Sequence, residues 1–416
     1  MTEQQPELFR VFVLTAFPRW FGLNRYRVHV PWTVYVADRL GKNPALDGAI
    51  YCITSVFLGR SHNDCKLQKS SREMYGKALA AFGGLIKDAS QLGSRESVST
   101  SILLSLFESY QRTDQNAWAR HASGAALLMS MRGAHAHLTG FDRCLYLSFR
   151  SFLVAEAFIH GKPCLFETPA WQDLIDQIRQ QDMVDRRATP QISAVIDVSD
   201  RLFMEVVKLP GLIHHVRRLT ESSSREDMAA MRALEMRVCR CRDAIRGLTR
   251  ELQISVAAQK APGQTPAPTP FIGPIPLTFP QEFANGLIRG TDVCFRILDL
   301  LHHNLSVIYQ ETQLLIADVA ASPRSTSSLP SSPGTAGSGP AALPSRAVPF
   351  RLVSRLQPDR GDGAFRSRGE KLAPVDKWLD LVASSMGMEA FDIVIGHPYP
   401  NAESECHSSA AILPLR

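Results

Sequence analysis

The chain has 416 residues, 45% hydrophobic and 21% charged, with a formal net charge of +6. That is the composition of a globular protein with one large or two ordinary domains and a sizeable core. The mild positive charge is spread along the chain, which argues against a compact nucleic-acid-binding module that concentrates Lys and Arg on one face.

No apolar run approaches the roughly 20 residues of a membrane-spanning helix. Glu3, Glu7, Arg10 and Arg19 interrupt the first 20 residues, unlike a secretory signal, so an intracellular protein without membrane contact is expected. The eight cysteines, Cys52, Cys65, Cys144, Cys164, Cys239, Cys241, Cys294 and Cys406, include no C-x-x-C pair. Cys239 and Cys241 are close in sequence, but in a helix their side chains diverge by about 200°. Ordinary reduced thiols are expected, with neither a zinc site nor a disulfide framework.

Residues 1–42 form an aromatic-rich segment (Phe9, Phe12, Phe17, Trp20, Phe21, Tyr26, Trp32, Tyr35) broken by Pro18 and Pro31, read as short helices packed on a main body. Asn43-Pro44 opens a helix, Asn as N-cap and Pro at the first helical position. Leu46, Ile50, Ile53, Val56 and Phe57 follow at helical spacing, and Gly59 is expected to end it. A second helix starts near Leu67 and carries Met74, Leu79, Phe82 and Leu85. A third presents Ile102, Leu103, Leu106, Phe107 and Tyr110 on one face. A fourth holds Trp118, Ala122, Ala125, Leu128 and Met129 and stops at Gly133; a fifth runs from about Phe141 to Ile159, with Gly161 and Pro163 behind it.

Helical periodicity continues through 190–218, and Ser224 with Asp227 resembles a capping box. Met231, Leu234, Val238, Cys241, Ile245, Leu248 and Leu252 then alternate at spacings of three and four. This a/d stripe has two readings: a dimerising coiled coil, or a long core helix of a bundle, which Gly247 favours. Residues 257–280 read as a Pro-rich connection, and Phe283 to about Ala320 as helix. Residues 321–370 read as a disordered linker, and 371–416 as a last helix (Val375–Met386) and tail. The fold expected is all-α: a helical bundle of antiparallel helix pairs in one body over 43–320, with disordered Pro/Ser-rich segments.

Motifs for catalysis are missing: no G-x-S-x-G, Walker loop, G-x-G-x-x-G or H-E-x-x-H. His214-His215 and His302-His303 are adjacent on helices, so their rings diverge, and His135-x-His137 falls in an expected loop. No residue is singled out as catalytic, cofactor-binding or metal-binding, and no cofactor is expected. Arg217-Arg218 and the stretch Arg351–Lys371 are weak candidates for a nuclear-import signal.

One segment carries a resemblance. Trp118-Ala-Arg-His121-Ala-Ser-Gly124-Ala125-Ala-Leu-Leu128-Met-Ser-Met-Arg132-Gly133 resembles the signature helix in the regulatory domain of fungal binuclear zinc-cluster transcription factors. Asn43-Pro44-Ala-Leu46 through Gly59, Tyr75-Gly-Lys-Ala78-Leu79, Pro163-Cys-Leu165-Phe166 to Trp171, and Phe279-Pro280 with Ala284 to Leu301 resemble its flanking segments in the same order. The resemblance covers about residues 40–310. It implies a nuclear, non-enzymatic regulator of RNA polymerase II transcription, with a biosynthetic gene cluster as one setting. Implied partners are the transcription machinery or another DNA-binding regulator, in a homo- or heterodimer.

The family's DNA-binding module uses closely paired cysteines to hold two zinc ions; the 42 residues before Asn43 contain no cysteine. Direct DNA binding is therefore in doubt, and the chain alone is expected to bind neither zinc nor a specific duplex. The rival readings are a helical-bundle small-molecule enzyme and an inactive remnant of a transcription factor. Read from the residues alone, the signature helix is structural, with Trp118 a buried anchor against Leu103, Leu106 and Phe107. Gly124 and Ala125 permit close helix approach, and Arg132 and Gly133 close the helix end.

Overall fold

The structure is a computed structural model, and it describes residues 4–16, 26–111, 113–114, 117–221, 228–258 and 279–321. Among them every regular element is helical. In chain order these are α1 (Gln5–Ala16), α2 (Trp32–Arg39), α3 (Pro44–Ser61), α4 (Cys65–Lys87), α5 (Arg95–Gln111), α6 (Ala117–Arg132), α7 (Gly140–His160), α8 (Pro169–Asp185), α9 (Pro190–Val206), α10 (Leu209–Glu221), α11 (Met228–Ala258) and α12 (Phe279–Ala321). Short 3₁₀ turns at Ala134–Leu138 and Leu165–Glu167 flank α7. The all-α fold expected from the periodicity is the fold observed.

Local chemistry sets the boundaries. The Asn43 side chain accepts from the backbone N–H of Ala45 at 3.0 Å and of Leu46 at 3.1 Å, capping α3. Gly161 ends α7 in the left-handed region at φ 59°, its N–H directed at the carbonyls of Ala157 and Phe158.

Gly59 does not stop α3, which runs on to Ser61. A Cβ at Gly59 would lie 2.8 Å from Gln68 Cγ, so the glycine admits α4 against α3. The chain reverses instead at Asn63, at φ 53°. Asp64 then caps α4 by accepting from Lys66 and Leu67. One turn-pair deeper, Gly48 faces Ala78, whose Cβ would sit 2.9 Å from a Cβ placed there. The small residues after Pro44 and the Tyr75-x-x-Ala78 step are two sides of one close helix contact.

α3 packs on α4 and α5, and α5 on α6; further on, α9 packs on α11 and α11 on α12. The short connections between α3 and α4, and between α5 and α6, make those pairs antiparallel. α7 lies among these groups, with most of its residues from Phe141 to Phe158 buried, charged ones included. One apolar core runs from Phe9 on α1 to Leu305 on α12. The N-terminal aromatics join it: Phe12 meets Phe57 and Tyr110 edge-on, and Trp32 meets Phe141 with ring centres 5.1 Å apart.

The a/d stripe of α11 is used inside the chain. Met231, Leu234, Val238, Cys241, Ile245 and Leu252 are buried, and Leu248 packs on the core as well. This is the long bundle helix of the two readings. Residues 190–218 form two helices, broken at Val207-Lys208. Helix also enters both ends of the expected 257–280 connection, through Ala258 and from Phe279. The Ser224–Asp227 box, the linker from 322, the Arg351–Lys371 stretch and the helix at Val375–Met386 lie outside the described residues.

Candidate functional site

The signature helix α6 acts through its polar residues, each tied to a different neighbour. His121 Nε2 lies 2.9 Å from Tyr75 Oη on α4, and Tyr75 stacks on Phe107 with ring centres 4.4 Å apart. Burial lowers the His121 pKa, so the ring is neutral near pH 7. Ser123 donates to the buried carboxylate of Glu156 on α7, which also holds Lys162 Nζ at 2.6 Å. Arg132 pairs with Asp142 at 2.6 Å and donates to the Gly93 carbonyl, while Arg95 grips the other Asp142 oxygen at 2.7 Å. Gly133 follows at φ 78°.

His137 lies in a 3₁₀ turn, not a loop, and is fully buried, its Nδ1 at 3.0 Å from the Gly133 carbonyl. Trp118 departs from the expected buried anchor. It is only half-buried, packed at the edge of the core, and the stripe beneath it is Ala119, Ala122, Ala125 and Met129. Ser105 on α5 donates to its backbone carbonyl at 2.9 Å.

The second constellation was not singled out from the sequence. Arg143, Tyr146 and Arg150 occupy one face of α7, spaced three and four residues apart. Arg27, on the stretch before α2, reaches across the same space. Its Nε donates to Asp182 on α8 at 2.8 Å, and its Nη1 to Asp200 on α9 at 3.2 Å. Arg143 pairs with Asp182 and with Gln181 at 3.1 Å; Arg150 pairs with Asp200 at 2.8 Å and lies over the Phe203 ring.

Burial opposes the charge on Arg27, but Asp200 and Asp182 more than offset it and hold its pKa above the ordinary value. Burial likewise raises Asp200, and Arg27 and Arg150 overcome that to hold it below the usual carboxylate range. Arg143 is depressed by burial, with Asp182 opposing and Arg27 adding to the depression.

A small cleft opens onto this cluster between α8 and α9, lined by Tyr26, Arg27, Arg179, Asp182, Arg187 and Asp197 among others. The signal that could have found the cluster is the run of apolar residues around Arg143 and Arg150: arginines in a largely buried helix need charged partners.

The histidine pair His214-His215 diverges, its rings 71° apart, with His214 Nδ1 at 2.9 Å from the Gly161 carbonyl. Burial pushes the thiols of Cys164, Cys241 and Cys294 up to about 12, which keeps them protonated and unreactive at neutral pH. Among the described residues no group of three His, Cys, Asp or Glu converges to hold a metal. Nor is any helix among them long and apolar enough to cross a membrane.

The geometry defines a helical scaffold whose polar residues fasten helices together. Comparison gives it a family: residues 7–258 match the fungal specific transcription factor domain. The chain is also 32% identical, over 402 residues, to an uncharacterized protein of Emericella nidulans, covering 94% of this chain and 81% of that protein. No solved structure matches. The chain belongs to the family of proteins with a fungal specific transcription factor domain.

Proposed function

We propose that this chain is a transcriptional regulator of the fungal zinc-cluster type, acting in the nucleus through its helical regulatory domain on RNA polymerase II transcription. The observation that carries the reading is the family match over residues 7–258. The polar contacts of α6 support it: they fix helices to one another, as in a domain that relays a signal, and not as in a site that turns over a substrate.

The paired cysteines of a zinc cluster do not occur in these 416 residues. The reading gives the chain the regulatory task and assigns DNA contact to a module outside it, on a partner regulator or a longer product. The partners proposed are such a regulator, in a homo- or heterodimer, and the transcription machinery. A biosynthetic gene cluster is the target setting proposed.

The test fuses residues 1–416 to a heterologous DNA-binding domain in a fungal host carrying a matching reporter, with a fluorescent tag to locate the protein. Nuclear accumulation and a several-fold change in reporter output, up or down, are expected. A well-expressed fusion that leaves the reporter unchanged defeats the reading. Transcript profiling of a deletion strain decides the gene-cluster setting.

A further inference from the structure

Four exposed apolar side chains lie on two neighbouring helices. On α6, Leu127 is 63% and Met131 53% exposed, one turn apart. On α4, Leu79 is 36% and Ile86 39% exposed, with the half-buried Phe82 between them. Single exposed apolar residues are ordinary, but a group of them marks an interaction surface.

The two faces border one seam. Leu79, Phe82 and Ile86 follow Tyr75 at helical spacing, so they share its side of α4. Tyr75 reaches across to His121 of α6 at 2.9 Å. At the far end, Arg132 of α6 donates to the carbonyl of Gly93, between α4 and α5. α4 and α6 therefore run in the same direction beside α5, and Leu127 and Met131 lie between the two ties. Basic residues flank the seam. Lys87, in the last turn of α4, is exposed and has no ion pair among the described residues. Arg72, also exposed, donates to the neutral Gln111 at 3.1 Å.

We propose that the outer face of α4 and α6 is the docking site for a segment of this same chain, residues 375–386, bound as an amphipathic helix. Val375, Trp378, Leu379, Val382 and Met386 fall on one helical face in the sequence. Such a face seats on an apolar surface through residues three, four and seven apart. Asp376 and Asp380 flank that stripe one turn apart, and Glu389 and Asp392 follow. Their charge complements Lys87 and Arg72. A second copy of the chain would instead set these basic residues against one another. The stretch 322–374 joins α12 to the segment, and at about 3.3 Å per residue it can reach any face of the domain. While docked, the segment keeps the face from other proteins.

The proposal goes beyond the transcriptional reading, and its test needs only the purified full chain. Trypsin digestion is followed by mass spectrometry at Lys377 inside the segment and at Lys371 just before it. Docking shields Lys377, so cleavage there is expected to be slow relative to Lys371. Leu127→Glu with Met131→Glu places acids at two exposed positions of α6. The double substitution should raise the ratio about tenfold, the effect of losing one buried apolar side chain. Val382→Glu with Met386→Glu removes the same contact from the segment side. It should do likewise, and it serves if the α6 variant fails to fold. Lys87→Glu should raise the ratio about threefold at low salt and leave it unchanged at about 0.5 M salt.

A ratio that none of these substitutions moves overturns the proposal. So does a wild-type ratio that rises on dilution, which marks a second copy as the occupant.

Discussion

Arg27 and Asp200 stand 173 residues apart in the chain, yet the guanidinium of one meets the carboxylate of the other with side-chain exposures of 1% and 0%. The pair ties the stretch before α2 to α9. Arg150 on α7 shares the same carboxylate, so a single aspartate joins three distant segments. Removing a buried partner leaves uncompensated charge, which costs more than the pair itself contributes. Asp200→Ala is expected to destabilise the chain by about 3–5 kcal/mol, read by urea unfolding. A loss below about 1 kcal/mol, the range of an exposed pair, would show that water reaches the site.

The same aspartate gives a pH signature. Burial pushes its pKa up, and Arg27 and Arg150 overcome that to hold it below the ordinary value. A carboxyl depressed by folding contributes stability that is fully present above its unfolded pKa of about 4 and is lost as pH falls through the lower folded value. The stability gap between the wild type and Asp200→Asn should therefore be flat from about pH 5 to 8 and narrow below about pH 4. A gap that widens on acidification contradicts the assignment.

Two helical glycines should respond in opposite directions to alanine. At Gly48 a Cβ would lie 2.9 Å from Ala78 Cβ and 3.2 Å from its Cα, and the backbone of α4 cannot yield cheaply. The gain in helix propensity is only about 1 kcal/mol, and overpacking costs about 1–3 kcal/mol, so Gly48→Ala should be net destabilising. At Gly247, exposed on α11, nothing lies within 4 Å. Gly247→Ala should stabilise by about 0.5–1 kcal/mol. Thermal midpoints of the two variants moving the same way would refute the packing argument.

The elements most legible in the sequence are those whose boundaries are chemical and local. Asn43-Pro44 and Gly161 mark helix ends because their side chains or backbone angles act on adjacent residues. Gly59 misleads because its role belongs to Gln68 on the next helix, which no local pattern reveals. The polar cluster is harder still. Arg27, Asp182 and Asp200 look like ordinary solvated charges until the fold brings them together, and only the apolar setting of Arg143 and Arg150 hints at burial. The signature residues showed where the scaffold is; what each one fastens depends on contacts across helices, as His121 with Tyr75 shows.

Trp118 is where sequence and structure disagree most usefully. Its spacing from Ala122 and Ala125 suggests a core position, and a fully buried Trp would cost about 3–5 kcal/mol to truncate. In the structure it sits half-buried at the core edge, and its neighbours Ala117 and Ala119 go inside. Part of the ring is therefore wet in the folded state, and the area it withdraws from water is correspondingly smaller. Trp118→Ala should cost about 1–2 kcal/mol, against about 3–5 kcal/mol for the fully buried Phe107→Ala measured beside it. Equal losses in urea unfolding would restore the buried anchor. Because α6 also leaves Leu127 and Met131 63% and 53% exposed, one turn apart, the helix presents apolar surface outward. In-cell abundance separates the two roles. A Trp118→Ala chain that keeps its level but loses reporter output marks an exposed working face; one that loses both in proportion marks a structural edge.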